Sequence, residues 1–304
     1  MSRLIMNFRA YGWNLVARPR FAGFWTRCEA ITGLSSVLDT RRLYATSLDT
    51  ATLLKKLDRF WENANIETNE NGHAVRLGSK TIKTSGGNPI IVPASKLVLA
   101  NLIIQEWATL PNLQIKPHSL PLTSITARAI DLAQLEPAER ESTREAIIES
   151  LLPYLDTDTM LIFAPTSEYE GALRKDQETQ YRPHIEWAEM EIFDGHSLVF
   201  SDGDEGLMAN RQTEQVKEKA RNWARGLSEF QLAAFERAVL GAKSFIGGMR
   251  LVLQEISTSE LAEAVSLEVT HQMRRWGEVE DSHDVDWADL RRQLASAAVL
   301  VIED

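Results

Sequence analysis

The hydrophobic period of this chain changes once along its length, and that change limits the folds open to it. Between Asn65 and Val92, short apolar or alternating runs are punctuated by Asn71-Gly72, by Gly78-Ser79 and by Ser85-Gly86-Gly87-Asn88-Pro89. Such runs between Gly- and Asn-rich turns read as antiparallel strands, and Asn-Gly is the strongest short hairpin signal. The spacing predicts strands over 65–68, 73–77, 80–84 and 90–92, with Asn71-Gly72 as the first turn and one face left polar. A helix over 48–61 precedes them.

From Leu99 onward apolar residues recur every three or four positions. Leu99, Leu102, Ile103, Trp107 and Leu110 form a stripe that should pack on the sheet, behind a cap at Ser95. Residues 111–121 are a connector. A helix follows through Ile125, Ala129 and Ile130, and Pro137 suits the first turn of the next. Ile147, Ile148, Leu151, Leu152 and Leu155 are that segment's buried stripe, and 160–164 reads as a short strand. Beyond Arg182 the pattern is helical. It gives a helix over 183–193, a loop over 194–206 and a charged, exposed helix over 213–225. A central apolar helix over 228–254, a helix over 259–276 and a terminal helix over 286–302 complete it, the last packing through Leu290, Leu294, Ala297, Ala298 and Val301. The fold class is therefore α+β: a small N-terminal α/β domain with an antiparallel meander, 45–136, followed by an all-helical C-terminal domain, 137–304.

Charge sets the first 44 residues apart. Residues 1–46 hold seven arginines and two acids, a balance of +5, which leaves −15 for the rest of a chain whose net charge is −10. Arg-rich, acid-poor sequence with Leu4, Phe8, Tyr11 and Leu15 at helical spacing has the character of a mitochondrial transit peptide, 1–44, cut near Tyr44. A basic tail on a cytosolic protein is the alternative. The one cysteine, Cys28, lies in that segment, so a processed chain has no thiol chemistry and no Cys-based metal site. No apolar run approaches the ~18 residues needed to span a bilayer, so no stable membrane insertion is expected. Net acidity argues against a general nucleic-acid binder.

The search for chemistry finds no phosphate-cradling loop, no Gly-x-Ser-x-Gly elbow and no histidine pair at metal-ligand spacing. Asp156 and Asp158 could share a divalent ion, or could make turn and capping bonds before a strand. The acidic turn 280–286, with His283, could hold a cation or cap a helix. The six tryptophans beyond residue 44 are core anchors or interface anchors. No cofactor and no metal is expected.

One stretch stands out. On a helix over 259–276, Leu261, Val265, Val269, Met273 and Trp276 share a broad apolar face, and Gly277 ends the helix. Glu268 falls inside the edge of that face, with Gln272 one turn on and Arg275 two turns on. A carboxylate in an apolar seam is costly unless paired. Two readings stay open: an internal pair with Arg275, or an acid presented to a partner beside Gln272, Arg275 and Trp276.

Nearly all of 58–304 resembles the mitochondrial assembly chaperones that bind the α subunit of the F(1) sector of ATP synthase. The matching pieces run in order from Arg59-Phe60-Trp61, Gly72 to Val75 with Leu77, Val92-Pro93 and Glu106-Trp107 to Leu122-Thr123 and Ala129-Ile130-Asp131. Leu155-Asp156-Thr157-Asp158-Thr159, Ile185-Glu186-Trp187-Ala188, Leu267-Glu268, Trp276-Gly277, Val279-Glu280 and His283-Asp284 complete the series. The resemblance implies residence in the mitochondrial matrix, no catalysis, and the holding of free α subunit in solution until β subunits replace it; a monomer is expected. It also implies that the family's functional acid is Glu268 and its sensitive tryptophan Trp107, a structural residue. Two departures are Tyr181-Arg182-Pro183, where the family often has Trp-Asp-Pro, and Asp281 in place of an aromatic. The other readings are a metal-dependent matrix enzyme built on Asp156 and Asp158, and a permanent subunit of the synthase.

Overall fold

In the computed structural model the described residues are 61–110, 119–206, 210–279 and 281–304. The expected leader 1–44, all but Trp61 of the helix expected over 48–61, and most of the connector lie outside them. The described residues belong to one compact unit.

A small antiparallel sheet leads. Strand β1 (Ala64–Asn69) pairs with β2 (Gly72–Leu77). On the other side of β2, β3 (Lys80–Thr81) takes one end and β4 (Ile91–Val92) the other. Ala64 and Ile66 of β1 turn toward the core while Asn65 and Glu67 face solvent, the expected polar face. The first turn departs by one residue from the expected pair. Asn69 pairs with Gly72, so Glu70 and Asn71 are the central residues, and the Asn69 side chain accepts the Asn71 N–H at 2.9 Å. Gly72 is needed for another reason: φ is +124°, and a Cβ there would stand 2.2 Å from the Val92 carbonyl oxygen.

Helix α1 (Leu97–Thr109) covers this sheet with Leu99, Ile103 and Trp107, while Leu102 faces outward. Ser95 does not cap it. The Asp304 carboxylate accepts the Val98 N–H at 3.1 Å, the Asp304 N–H reaches the Ser95 carbonyl, and buried Lys96 donates to the Ile302 carbonyl at 2.9 Å. A group far along the chain satisfies the orphan amide that a local serine was expected to take.

Helix α3 (Pro137–Leu151) begins on its proline, as expected, and α2 (Pro121–Ala133) also begins on one, Pro121, the expected end of the connector. A short turn, Pro153–Asp156, and a 3-10 turn, Thr159–Leu161, lead into β5 (Ile162–Phe163). That strand is shorter than expected and pairs in parallel with β6 (Ser201–Asp202), which lies in the segment read as loop. Helix α4 (Ala172–Glu191) begins eleven residues before Pro183 and carries that proline in its interior. Leu173, Gln177, Tyr181, Ile185 and Ala188 form its continuous buried stripe, which outweighs the proline's lost N–H. Helix α5 (Glu214–Arg225) is charged outside but buries Val216, Ala220 and Ala224.

The apolar segment 228–254 is two helices rather than one. Helix α6 (Glu229–Ala242) ends at Lys243, in the left-handed region at φ 54°, and Ser244 caps α7 (Phe245–Val252). The next expected helix is divided as well, at Ser266, into α8 (Thr258–Val265) and α9 (Leu267–Trp276). Helix α10 (His283–Val301) closes the fold and packs on α6 through Leu294, Ala297, Leu300 and Val301. One apolar cluster joins Val75 of the sheet, Ala129 of α2 and Phe235 of α6. The fold is α+β, a small sheet region followed by helices.

Candidate functional site

The break at Ser266 redirects α9 and undoes the single apolar face expected from 259 to 276. Leu261 on α8 is fully buried, but Val269 is 43% exposed and Trp276 is 71% exposed. The second half of the segment is an amphipathic helix lying on the surface, not a core helix. Gly277 stops it as expected, at φ +90° with its N–H on the Met273 carbonyl. Val279 follows, 61% exposed.

One hydrogen bond ties α9 to α4 and a second ties the end of α8 to it. His271 is buried and its Nε2 donates to the Asp176 carboxylate at 2.9 Å. The buried Tyr181 hydroxyl donates to the Ala264 carbonyl at 3.1 Å, fixing the end of α8 from which α9 departs. Burial, and then the negative charge of Glu268, raise the Tyr181 pKa above the usual tyrosine range.

Glu268 projects from the first turn of α9. It accepts a hydrogen bond from Gln272 Nε2 at 3.0 Å. Among the described residues no cation pairs with it. The surrounding protein strips water from its carboxylate, and Glu168 repels it, so its pKa lies above the ordinary carboxylate value against the smaller pull of Gln272. The internal Glu268–Arg275 pair is not formed. The Arg275 guanidinium instead lies over the Tyr169 ring at 5.5 Å and beside the Trp276 ring at 5.9 Å. Glu268, Gln272, Arg275 and Trp276 thus share the exposed side of one short helix, with an acid that lacks a cation and an indole that lacks a core.

Tyr169 was not singled out from the sequence. It sits in the turn before α4, and its ring also meets His271 edge-on at 5.8 Å. Tyr169-Glu170-Gly171, with acids on either side of an aromatic before a glycine, was the available signal.

The other singled-out residues are structural in their contacts. Trp107 Nε1 donates to Thr123 Oγ1 at 2.9 Å, and its ring meets Trp61 edge-on at 5.1 Å. Asp158 is fully buried and accepts the Met160 N–H and the Ile246 N–H, each at 2.9 Å, so it caps two helical turns at once. Burial pushes its pKa up to about 6 against those donors. Asp156 accepts the Gln212 N–H at 2.7 Å and pairs with Lys217 at 2.8 Å. Two carboxylates already engaged, one by an ammonium and one by main-chain amides, do not form a divalent-ion site. In the acidic turn, the Val279 N–H donates to His283 Nδ1 at 3.0 Å, and Asp284 and Asp286 occupy the first turn of α10. Among the described residues no three His, Cys, Asp or Glu side chains gather as a metal site. No helix of the described residues is long and apolar enough to cross a membrane.

Residues 58–189 match the family model described as ATP12 chaperone protein. The chain is 38% identical over 248 residues to protein atp12, mitochondrial, of Schizosaccharomyces pombe, covering 81% of this chain and 83% of that one. It is 40% identical over 281 residues to protein ATP12, mitochondrial, of Saccharomyces cerevisiae, covering 84% and 86%. The crystal structure of Atp12 from Paracoccus denitrificans matches the fold with a TM-score of 0.64 at 24% identity, over 80% of this chain and 97% of that one.

Proposed function

The chain belongs to the ATP12 chaperone family, and from that membership we propose that it assembles the F(1) sector of mitochondrial ATP synthase by holding free α subunit soluble until β subunits take over the shielded surface. The observation that carries this reading is the outer side of α9. An acid without a cation partner lies beside Gln272 on the helix that ends in the exposed Trp276, with the exposed Val279 just beyond it. A subunit awaiting its place in a ring exposes apolar and charged interfaces that aggregate. A surface of aromatic anchor plus an acid without a cation partner suits such a client, because aromatic anchors and charge-assisted contacts dominate interface energetics. The reading requires no catalysis and no cofactor.

Residence in the matrix follows from the same proposal. Relatives named mitochondrial and the basic, acid-poor residues 1–46 support it. N-terminal sequencing of protein recovered from the matrix should begin near Tyr44, and an intact Met1 would contradict the leader.

The test of the function uses isolated α subunit. Diluted alone into native buffer it should aggregate, and an equimolar amount of this protein should hold it in solution as a one-to-one complex. Addition of β subunit should then release the chaperone. Aggregation at the same rate with and without the protein would end the proposal.

A further inference from the structure

Glu268 and Arg275 stand seven residues apart on α9, about two turns, so they rise from nearly the same side of the helix. Seven residues at 1.5 Å each set them about 10.5 Å apart along the axis, a gap that the long Arg275 side chain can close only by bending back toward the acid. Here Arg275 is drawn to a residue from another element. Tyr169 belongs to the turn before α4, and its ring is gripped from two directions, by Arg275 over one face and by His271 edge-on. His271 is in turn fixed to Asp176 of α4.

The backbone that presents this ring is itself unusual. Tyr169 and Glu170 both adopt left-handed conformations, at φ 50° and 57°, immediately before Gly171 at φ 80°. Two successive side-chain-bearing residues in that region are costly, and such strain persists where the surrounding structure over-determines it.

We propose that Tyr169 is a positioning residue of the partner-binding face: its ring holds Arg275 away from Glu268 and so leaves that carboxylate open to a cationic side chain of the partner. The proposal rests on the reading of α9 as the α-subunit-binding face. Tyr169 lies within electrostatic range of both charges, since Glu268 and Arg275 act on its hydroxyl in opposite senses. Glu168, beside it, adds a second negative charge near Glu268. Tyr181 and Asp176 from α4 and His271 from α9 also face this spot. With Arg275 held on the aromatic ring, the partner's cation meets an acid with no internal competitor.

The experiment compares the processed chain with Tyr169→Asn, Tyr169→Phe, Arg275→Gln, Tyr169→Asn/Arg275→Gln and Glu268→Gln. Asparagine tolerates the left-handed backbone, so the first variant removes the ring without adding strain. Two readouts are taken: the titration midpoint of Glu268 by NMR, and the affinity for isolated α subunit. In Tyr169→Asn, Arg275 turns to Glu268, the midpoint falls by roughly one pH unit, and affinity weakens by about tenfold or more. Tyr169→Phe keeps the ring and behaves as the parent. In the Arg275→Gln background, Tyr169→Asn changes neither readout further, which a general loss of packing would not reproduce. An unmoved Glu268 midpoint in Tyr169→Asn overturns the positioning role, whatever the binding result. Parental affinity in Glu268→Gln overturns the binding reading instead, and with it the partner half of the proposal.

Discussion

The Asp158 carboxylate accepts the backbone N–H of Ile246, 88 residues further along the chain, at 2.9 Å inside the core. That bond joins the 3-10 turn before β5 to the start of α7. It also accounts for the break in the apolar segment 228–254. The chain leaves α6 through Lys243 in a left-handed conformation so that Ser244 and Asp158 can together satisfy the first amides of a new helix.

Fully buried Asp158 and half-buried His184 make stability depend on pH in opposite senses. His184 is held neutral by burial, and then by the Arg250 charge beside it, with a folded pKa of about 4 against 6.5 when unfolded. Its contribution is present above pH 6.5 and is lost as pH falls toward 4, because the unfolded chain takes up the proton first. Asp158 has a folded pKa of about 6 against 3.8 unfolded. Its contribution is present below pH 3.8 and is lost as pH rises toward 6. Between pH 4 and 6 the two slopes oppose each other. Denaturant melts of Asp158→Asn should show stability climbing more steeply with pH in that window than in the parent. His184→Gln should show the reverse, and parallel profiles in all three proteins would refute the assignment.

Trp107 is a core residue. Trp107→Arg removes the ring contact with Trp61 and the bond to Thr123, and places a charge among apolar neighbours. The loss should be about 3–5 kcal/mol, a large part of a typical domain's stability. Thermal melting and soluble yield check it, and an unchanged melting temperature would place Trp107 outside the core.

Asp304 should matter to stability although it lies on the surface. Its carboxylate caps α1 through the Val98 N–H, a position where truncation to alanine typically costs about 1 kcal/mol. Asp304→Ala should lower the unfolding free energy by about 1 kcal/mol in a denaturant melt, and Asp304→Asn should recover much of it. Hydrogen exchange at Val98 offers a local check.

Much of the fold was legible in the sequence because local rules act locally there. Gly78-Ser79 turned the chain, Pro137 opened a helix, and the stripe from Ile147 to Leu155 was buried as its spacing required. The misses have a common physical origin, in bonds made between distant residues. Asp304 took the role assigned to Ser95, Asp158 divided the central helix, and β5 found its partner β6 in a segment rich in Gly and Asp. The candidate site was half legible. Glu268, Gln272 and Trp276 could be placed on one helix by periodicity. The destination of Arg275 could not, because Tyr169 reaches it from a different element.

Glu268→Gln tests the central claim most directly, by thermal melting of the variant and by its capacity to keep isolated α subunit in solution. Glutamine retains the shape and the helix propensity of glutamate, and the native acid has no cation to lose among the described residues. The account predicts a melting temperature within a degree or two of the parent, by the small effects usual for surface substitutions. It also predicts binding weakened by about 2–5 kcal/mol, the usual cost of losing a charge-assisted interface contact. A variant that melts normally and protects α subunit as well as the parent would contradict it.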